Sequence, residues 1–249
     1  MRTFFTHRRV RISLAAGLML ASTSATVQAQ SAGSLLLGSG WMHVAPQVNT
    51  GPMNTTQRSP YGSLSFSDGA ISAQVKSSNT LGLTATYFIT DNIAAEFVGG
   101  IPPKMTITGA GSAQGYGTIG SASMWSPAIM LKYYFGQASA AFRPYVGVGA
   151  SYIWFSNATI SNGNFESQRL KGPTKVSVNS GFAPVFNVGA SYLLAKDWYV
   201  GGSVSFIPMT RTISLDNPSV TGAPSVSLQS TVRTRLNPVV TYLSISRLF

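Results

Sequence analysis

The chain has 249 residues, of which 9% are charged and 44% apolar, and it contains no cysteine. Soluble domains carry about 25% charged residues, so an ordinary soluble protein is disfavoured, and the missing cysteine excludes disulfides, thiolate metal sites and cysteine nucleophiles. The net charge is +11, but four arginines lie in the first eleven residues and the other basic residues are scattered singly, which argues against nucleic acid as a partner.

Residues 1–29 have the features of a cleaved secretory signal peptide. Arg8, Arg9 and Arg11 precede a short apolar stretch over residues 12–20, and Val27 and Ala29 are spaced as at a cleavage site. The apolar stretch is far shorter than the ~20 residues that span a bilayer. We therefore expect a signal peptide over 1–29 and one mature domain over 30–249.

Beyond the leader no apolar stretch is long enough for a membrane-spanning helix, but several segments alternate with a period of two. Leu81, Leu83 and Tyr87 share one face of such a segment, and Thr84 and Thr86 share the other. Apolar-outside and polar-inside alternation is typical of a membrane β-barrel, the one strand architecture that leaves no unpaired backbone in lipid.

Eight strands are predicted, and their connections alternate in length. The short connections are 91–92, 137–141 and 196–197; the long ones are 45–79, 102–124, 156–181 and 211–231. Short periplasmic turns and long extracellular loops are typical of an outer-membrane barrel. The fold class is therefore an all-β, eight-stranded antiparallel transmembrane β-barrel in the bacterial outer membrane, with strands at 34–44, 80–90, 93–101, 125–135, 142–155, 182–194, 198–210 and 232–249.

Aromatic residues cluster at both ends of these strands, as expected where a barrel crosses two membrane interfaces. Tyr87, Phe88, Tyr134, Trp198 and Tyr199 are among those beside the short turns. The terminal Phe249 matches the signal by which the outer-membrane assembly machinery recognises barrels. That machinery is therefore an expected partner.

Three segments resemble the OmpW family, and within it the AlkL-like members: residues 81–92 (LGLTATYFITDN), 126–136 (SPAIMLKYYFG) and 143–149 (RPYVGVG). Residues 182–198 and the final strand fit as well. The resemblance implies an eight-stranded barrel with a narrow lumen. It also implies the passage of small apolar molecules, in some members by escape through the barrel wall.

Continuing the alternation through each strand predicts which side chains face the lumen. The half near the long loops is predicted to be an apolar lumen, and the half near the short turns a polar plug containing a buried charge cluster of Glu96, Lys132 and Arg143. The apolar set is Val98, Met130, Ile153, Phe155, Val185, Ile207 and Met209, and the polar set is Glu96, Lys132, Tyr134, Arg143 and Tyr145.

Prolines fall at or near the outer ends of the predicted strands. Each lacks the N–H that a strand ladder needs, so these positions are predicted to weaken the rim and to form a lateral window. They are Pro46, Pro102, Pro127, Pro184, Pro208 and Pro238.

Catalytic and cofactor chemistry is not indicated. His43 is the one histidine beyond the leader, Asp91 and Asp197 stand in turns, and no metal-ligand spacing occurs. We therefore expect no enzyme activity and no cofactor.

Two functions of different classes remain open. The first is a channel for passive uptake of small hydrophobic solutes, and the second is a non-transporting surface barrel that stabilises the membrane or serves as a receptor. Basic residues in or near the outer loops are either ligands for lipopolysaccharide phosphates, beside the surrounding outer-membrane lipid, or ordinary solvated charge; they are Lys171, Lys175, Arg211, Arg233 and Arg235.

Overall fold

The structure is a computed structural model that describes residues 29–249; the predicted leader, apart from Ala29, lies outside the described residues. Most of this part of the chain is β-structure, with one short α-helix, α1 (Gly163–Gln168), and one 3₁₀ turn (Gln114–Tyr116). The strands are β1 (Leu35–Ala45), β2 (Asn49–Ser59), β3 (Gly62–Asp68), β4 (Ile71–Val75), β5 (Ser78–Phe88), β6 (Ile93–Gly100), β7 (Lys104–Gly111), β8 (Thr118–Trp125), β9 (Ala128–Tyr134), β10 (Phe142–Ile160), β11 (Lys175–Val178), β12 (Gly181–Ala195), β13 (Trp198–Phe206), β14 (Thr210–Asn217), β15 (Ser227–Arg235) and β16 (Val239–Leu248).

Eight of these strands form a closed antiparallel barrel. Their order is β1-β5-β6-β9-β10-β12-β13-β16, and β16 pairs with β1 to close the ring. The connections β5–β6, β9–β10 and β12–β13 are the short ones and lie at one end. The predicted eight-stranded barrel with alternating short and long connections is confirmed.

The outer face of the barrel is apolar. Leu83, Phe97, Ile129, Val148 and Val188 are among the residues that expose large apolar side chains, while their neighbours along each strand are buried or half-buried. This alternation suits a wall that faces lipid. No helix within residues 29–249 combines the length and the apolar character needed to cross a membrane.

Phe88 and Tyr199, expected in the lower aromatic belt, lie inside the barrel instead, and Tyr134, assigned both to that belt and to the polar plug, lies inside as well. Phe88, Tyr134 and Tyr199 are all buried, because the alternation along each strand points these side chains into the lumen. Tyr87, Trp198 and Phe249 do face outward beside the short turns.

The long connections are folded, which the loop-like composition did not predict. Strands β11, β14, β15, β2 and β3 form a second sheet in that order, and β4, β7 and β8 continue from the upper half of β10. We call these strands, with the upper half of β10, the outer extension. Three predicted strands are wrong at their outer ends: 125–135, 198–210 and 232–249. Each prediction joined a barrel strand and a strand of the outer extension into one.

Prolines mark the border between the barrel and the outer extension. Pro46 follows β1, Pro102 lies between β6 and β7, and Pro127 lies between β8 and β9. Pro208 and Pro238 interrupt the chain at the same border, between β13 and β14 and between β15 and β16. A missing N–H at each point ends the ladder of one strand before the next begins.

Pro184 is the exception. It lies within β12, opposite Ala150 of β10, and so does not mark a strand end.

Candidate functional site

The lower lumen, near the short turns, is filled by polar and aromatic side chains. Lys132 Nζ lies 2.6 Å from Glu96 Oε2, and both side chains are almost completely buried. Thr86 donates a 2.7 Å hydrogen bond to the same Glu96 oxygen, and Lys132 Nζ lies 4.3 Å from the centre of the Tyr145 ring. A buried ion pair with extra partners is the arrangement in which interior charges are tolerated.

Arg143 lies in the same half but forms no ion pair with Glu96, unlike in the predicted charge cluster. Its guanidinium donates hydrogen bonds to the backbone oxygens of Gln30 and Asp91 and lies 5.2 Å from the centre of the Tyr134 ring. The side chain is 1% exposed. Arg143 therefore ties the start of the barrel and the β5–β6 turn across the lower opening.

A central apolar cluster fills the lumen above the polar plug. Met130, Ile153, Val185 and Ile207 are buried in it, and Ile153 is completely inaccessible to solvent. These four residues belong to the predicted apolar lumen, but they pack against one another and line none of the cavities described below. The outer members of that set differ: Phe155 and Met209 line one cavity, and Val98 lines another.

Four cavities above and beside the central cluster share wall residues in succession. The outer cavity, about 220 Å³, shares Met53, Ile71 and Leu215 with the upper cavity, about 110 Å³. The upper cavity shares Ile107 and Ala122, among others, with the neck cavity, about 50 Å³.

Met124 lies between the neck cavity and the side cavity, about 280 Å³, and contributes to both walls. The series therefore leads from the end of the outer extension toward the barrel wall.

The side cavity crosses the barrel wall. Its inner wall includes Met42 and Val44, and its outer wall includes Phe97 and Trp125, which are exposed on the lipid-facing side. Pro102 and Pro127 also line it, whereas the other four predicted window prolines do not.

The strand ladder is interrupted at the same place. Pairing between β6 and β9 stops at Val98 and Ala128, and pairing between β7 and β8 resumes at Lys104 and Ser123. Gly100, in this gap, has φ +143°, and an added Cβ there would collide with the Leu81 carbonyl oxygen. β6 therefore ends beside the opening in a conformation that favours glycine.

The lower lumen is separate from this series. Its own cavity, about 30 Å³, is lined by Glu96, Lys132, Tyr134 and Tyr145 and shares no wall residue with the neck or side cavity. The central cluster lies between the two systems, so the straight path to the short-turn end is filled.

Most wall residues of the neck cavity were not predicted to line the lumen, and its two polar members are among them. Arg211 was expected at the loop surface but is 6% exposed, and Thr234 is 3% exposed. Met124 was also missed. The side chains at positions 207, 209 and 211 all point inward, and so do those at positions 130, 128 and 124. Continuing the alternation past the prolines would therefore have found Arg211 and Met124.

His43 is held in a structural contact. Its Nδ1 lies 2.7 Å from Asn79 Oδ1, and its ring stacks on Trp41. Within residues 29–249, no group of three His, Asp or Glu side chains is close enough to hold a metal ion.

Comparison with known proteins agrees with this architecture. The model of the OmpW family matches residues 31–249. Outer membrane protein W of Salmonella typhi is 31% identical over 207 residues, 82% of this chain and 92% of that protein. Outer membrane protein AlkL of Ectopseudomonas oleovorans is 30% identical over 156 residues, 61% of this chain and 63% of that protein.

The crystal structure of OprG from Pseudomonas aeruginosa has the same fold, with a TM-score of 0.74 and 21% identity over 89% of this chain and 99% of that one. A family match across the whole barrel, together with a closed barrel whose wall is apolar, gives both the family and the location: the chain is an outer-membrane protein of the OmpW family, similar to AlkL.

Proposed function

We propose that the protein is a channel for passive uptake of small hydrophobic molecules, which enter through the outer extension and leave sideways into the membrane. The observation that carries the proposal is the side cavity, because it joins the apolar interior to the lipid-facing surface at an interruption of the strand ladder. The resemblance to AlkL-like proteins implies the same class of solute.

Apolar walls explain why such solutes would be favoured. Transfer of apolar surface out of water contributes about 25 cal/mol per Å², and the walls of the upper and neck cavities are mostly Ile, Met, Val, Leu and Ala. A polar sugar would lose its hydration there without gaining hydrogen bonds. The filled lower lumen then makes the side cavity the remaining way out.

The proposal is tested by uptake of octane, with a small sugar as the polar control, in cells with and without the protein. Faster uptake of octane alone is the expected result. Met124→Trp should abolish the gain by closing the junction of the neck and side cavities, whereas Ile245→Trp, on the lipid-facing wall, should keep it. Equal octane uptake with and without the protein would rule the channel out.

The alternative is a non-transporting surface barrel. It is favoured by the β2–β3 hairpin, whose tip exposes Tyr61 completely and Leu64 and Phe66 largely, since exposed apolar groups on a loop are typical of a contact with a partner. Unchanged uptake in the octane experiment would support this function instead.

Two specific partners are part of the proposal. Lipopolysaccharide phosphates would bind the exposed Lys171, Lys175, Arg233 and Arg235, whereas Arg211 is buried and is withdrawn from that set. The assembly machinery would recognise Phe249, whose side chain is half exposed beyond the end of β16. The proposed activity involves no catalytic step.

A further inference from the structure

The neck cavity has two polar side chains in an otherwise apolar wall, Arg211 and Thr234. They face each other directly across β14 and β15. Cross-strand partners of this kind have Cβ atoms about 4.5–5.5 Å apart and project on the same side of the sheet. The two side chains therefore lie close together behind the apolar surface of the neck cavity.

Both side chains contain a buried polar atom that lacks a hydrogen-bond partner: Arg211 Nε and Thr234 Oγ1. The two terminal nitrogens of Arg211 are occupied, Nη1 with Thr210 O at 3.1 Å and Nη2 with Gly181 O at 2.8 Å. An unpaired buried donor costs about 1–3 kcal/mol of free energy. A ligand group that accepts hydrogen bonds from both atoms would remove this cost.

The charge of Arg211 is also uncompensated. Within residues 29–249 the ion pair that forms is Lys132–Glu96, in the other half of the lumen. Burial lowers the pKa of Arg211, but a guanidinium stays cationic at neutral pH in proteins. A negative acceptor therefore suits this position better than a neutral one.

We propose that Arg211 and Thr234 bind the carboxylate of an amphipathic solute, such as a medium-chain fatty acid, while its alkyl chain lies in the apolar neck and upper cavities. This inference rests on the proposed function and names a substrate class for the same route. One carboxylate oxygen would accept from Arg211 Nε and the other from Thr234 Oγ1, supplying the two missing partners. The apolar remainder of the wall, including Met105, Ile107 and Leu236, matches an alkyl chain.

The site is tested by NMR on the full barrel in phosphatidylcholine nanodiscs, with ¹⁵N-labelled arginine and sodium octanoate as the probe. The Arg211 Nε–H resonance, assigned by its loss in Arg211→Met, should shift saturably with octanoate and not with octane. Thr234→Val should weaken octanoate binding by about tenfold, the expected effect of one hydrogen bond to a charged group. Arg58→Met is the matched control, since Arg58 is an exposed arginine on β2 of the same sheet, and it should leave the titration unchanged.

Uptake in cells separates the two proposals. A flat titration with normal octane uptake would overturn the carboxylate site and leave the channel standing. A saturable titration without octane uptake would overturn the channel and leave the site standing. If Arg211→Met does not fold, Arg211→Lys supplies the assignment, and an unchanged octanoate affinity in Thr234→Val would count against the site.

Discussion

The two halves of the lumen differ in how their interior is occupied. Near the short turns, polar and aromatic side chains pack against one another and fill the interior, as in the Lys132–Glu96 pair and the Arg143 contacts. Near the outer extension lies a series of cavities, and in the narrowest of them, the neck cavity, the wall is apolar apart from Arg211 and Thr234, each of which keeps an unpartnered atom. A filled half gives rigidity and a seal, whereas a hollow half with mostly apolar walls is suited to receiving a ligand.

The strongest way to break the filled half is to remove one member of its ion pair. Lys132→Met should lower the free energy of unfolding by about 3–5 kcal/mol, because Glu96 would remain buried without its partner. Urea unfolding in lipid vesicles, followed by tryptophan fluorescence, measures this change.

The double variant Glu96→Met with Lys132→Met is the control. Because an apolar replacement of both partners removes the uncompensated charge, it should recover most of the lost stability. A double variant as unstable as the single one would show that the pair does not act as described.

Truncating one isoleucine in each region sharpens the comparison. Ile153→Ala in the central cluster should cost about 2–5 kcal/mol, since it leaves a new void in close packing. Ile107→Ala should cost about 1 kcal/mol, because its side chain already borders two cavities and loses fewer contacts. The same unfolding measurement applies, and equal costs would contradict the distinction between a packed and a hollow region.

The smallest effect is expected outside the lumen. Arg247 lies over the rings of Trp198 and Phe249 at the lower rim, at 5.9 and 5.1 Å. Arg247→Met should reduce the unfolding free energy by about 0.5–1 kcal/mol, the usual contribution of an exposed cation–π contact. A loss of several kcal/mol, comparable with that of Lys132→Met, would mean that rim contacts rather than the filled lumen stabilise the lower half.

The sequence was sufficient for the barrel and insufficient for the outer extension. The eight strands follow from alternation, because lipid on one side forces apolar residues such as Leu83 and Val148 to recur at every second position. In the extension water covers the outer face, so strands such as β2 and β3 carry Thr, Ser and Asn and have the composition of loops.

The hollow half was harder to predict than the filled half for a related reason. The pairing of Glu96 with Lys132 follows from their opposite charges and from the alternation that points both side chains inward. The side cavity depends instead on where the strand ladder stops at Gly100, Pro102 and Pro127. The alternation along a strand predicts that the side chains of Ile153 and Val185 point inward. It does not predict whether these side chains line a cavity or fill the lumen. Packing in three dimensions decides that question.

The most direct measurement of the central claim uses the absence of cysteine. A single cysteine at Ala122, in the wall of the upper and neck cavities, is compared with one at Ser244, in the wall of the lower cavity, each carrying a hexyl group attached through a methanethiosulfonate reagent. If solutes cross only the upper half, the hexyl group at 122 should remove most octane uptake and the group at 244 should leave it unchanged. Strong inhibition from position 244 would contradict the account, because it would mean that solutes pass through the filled half.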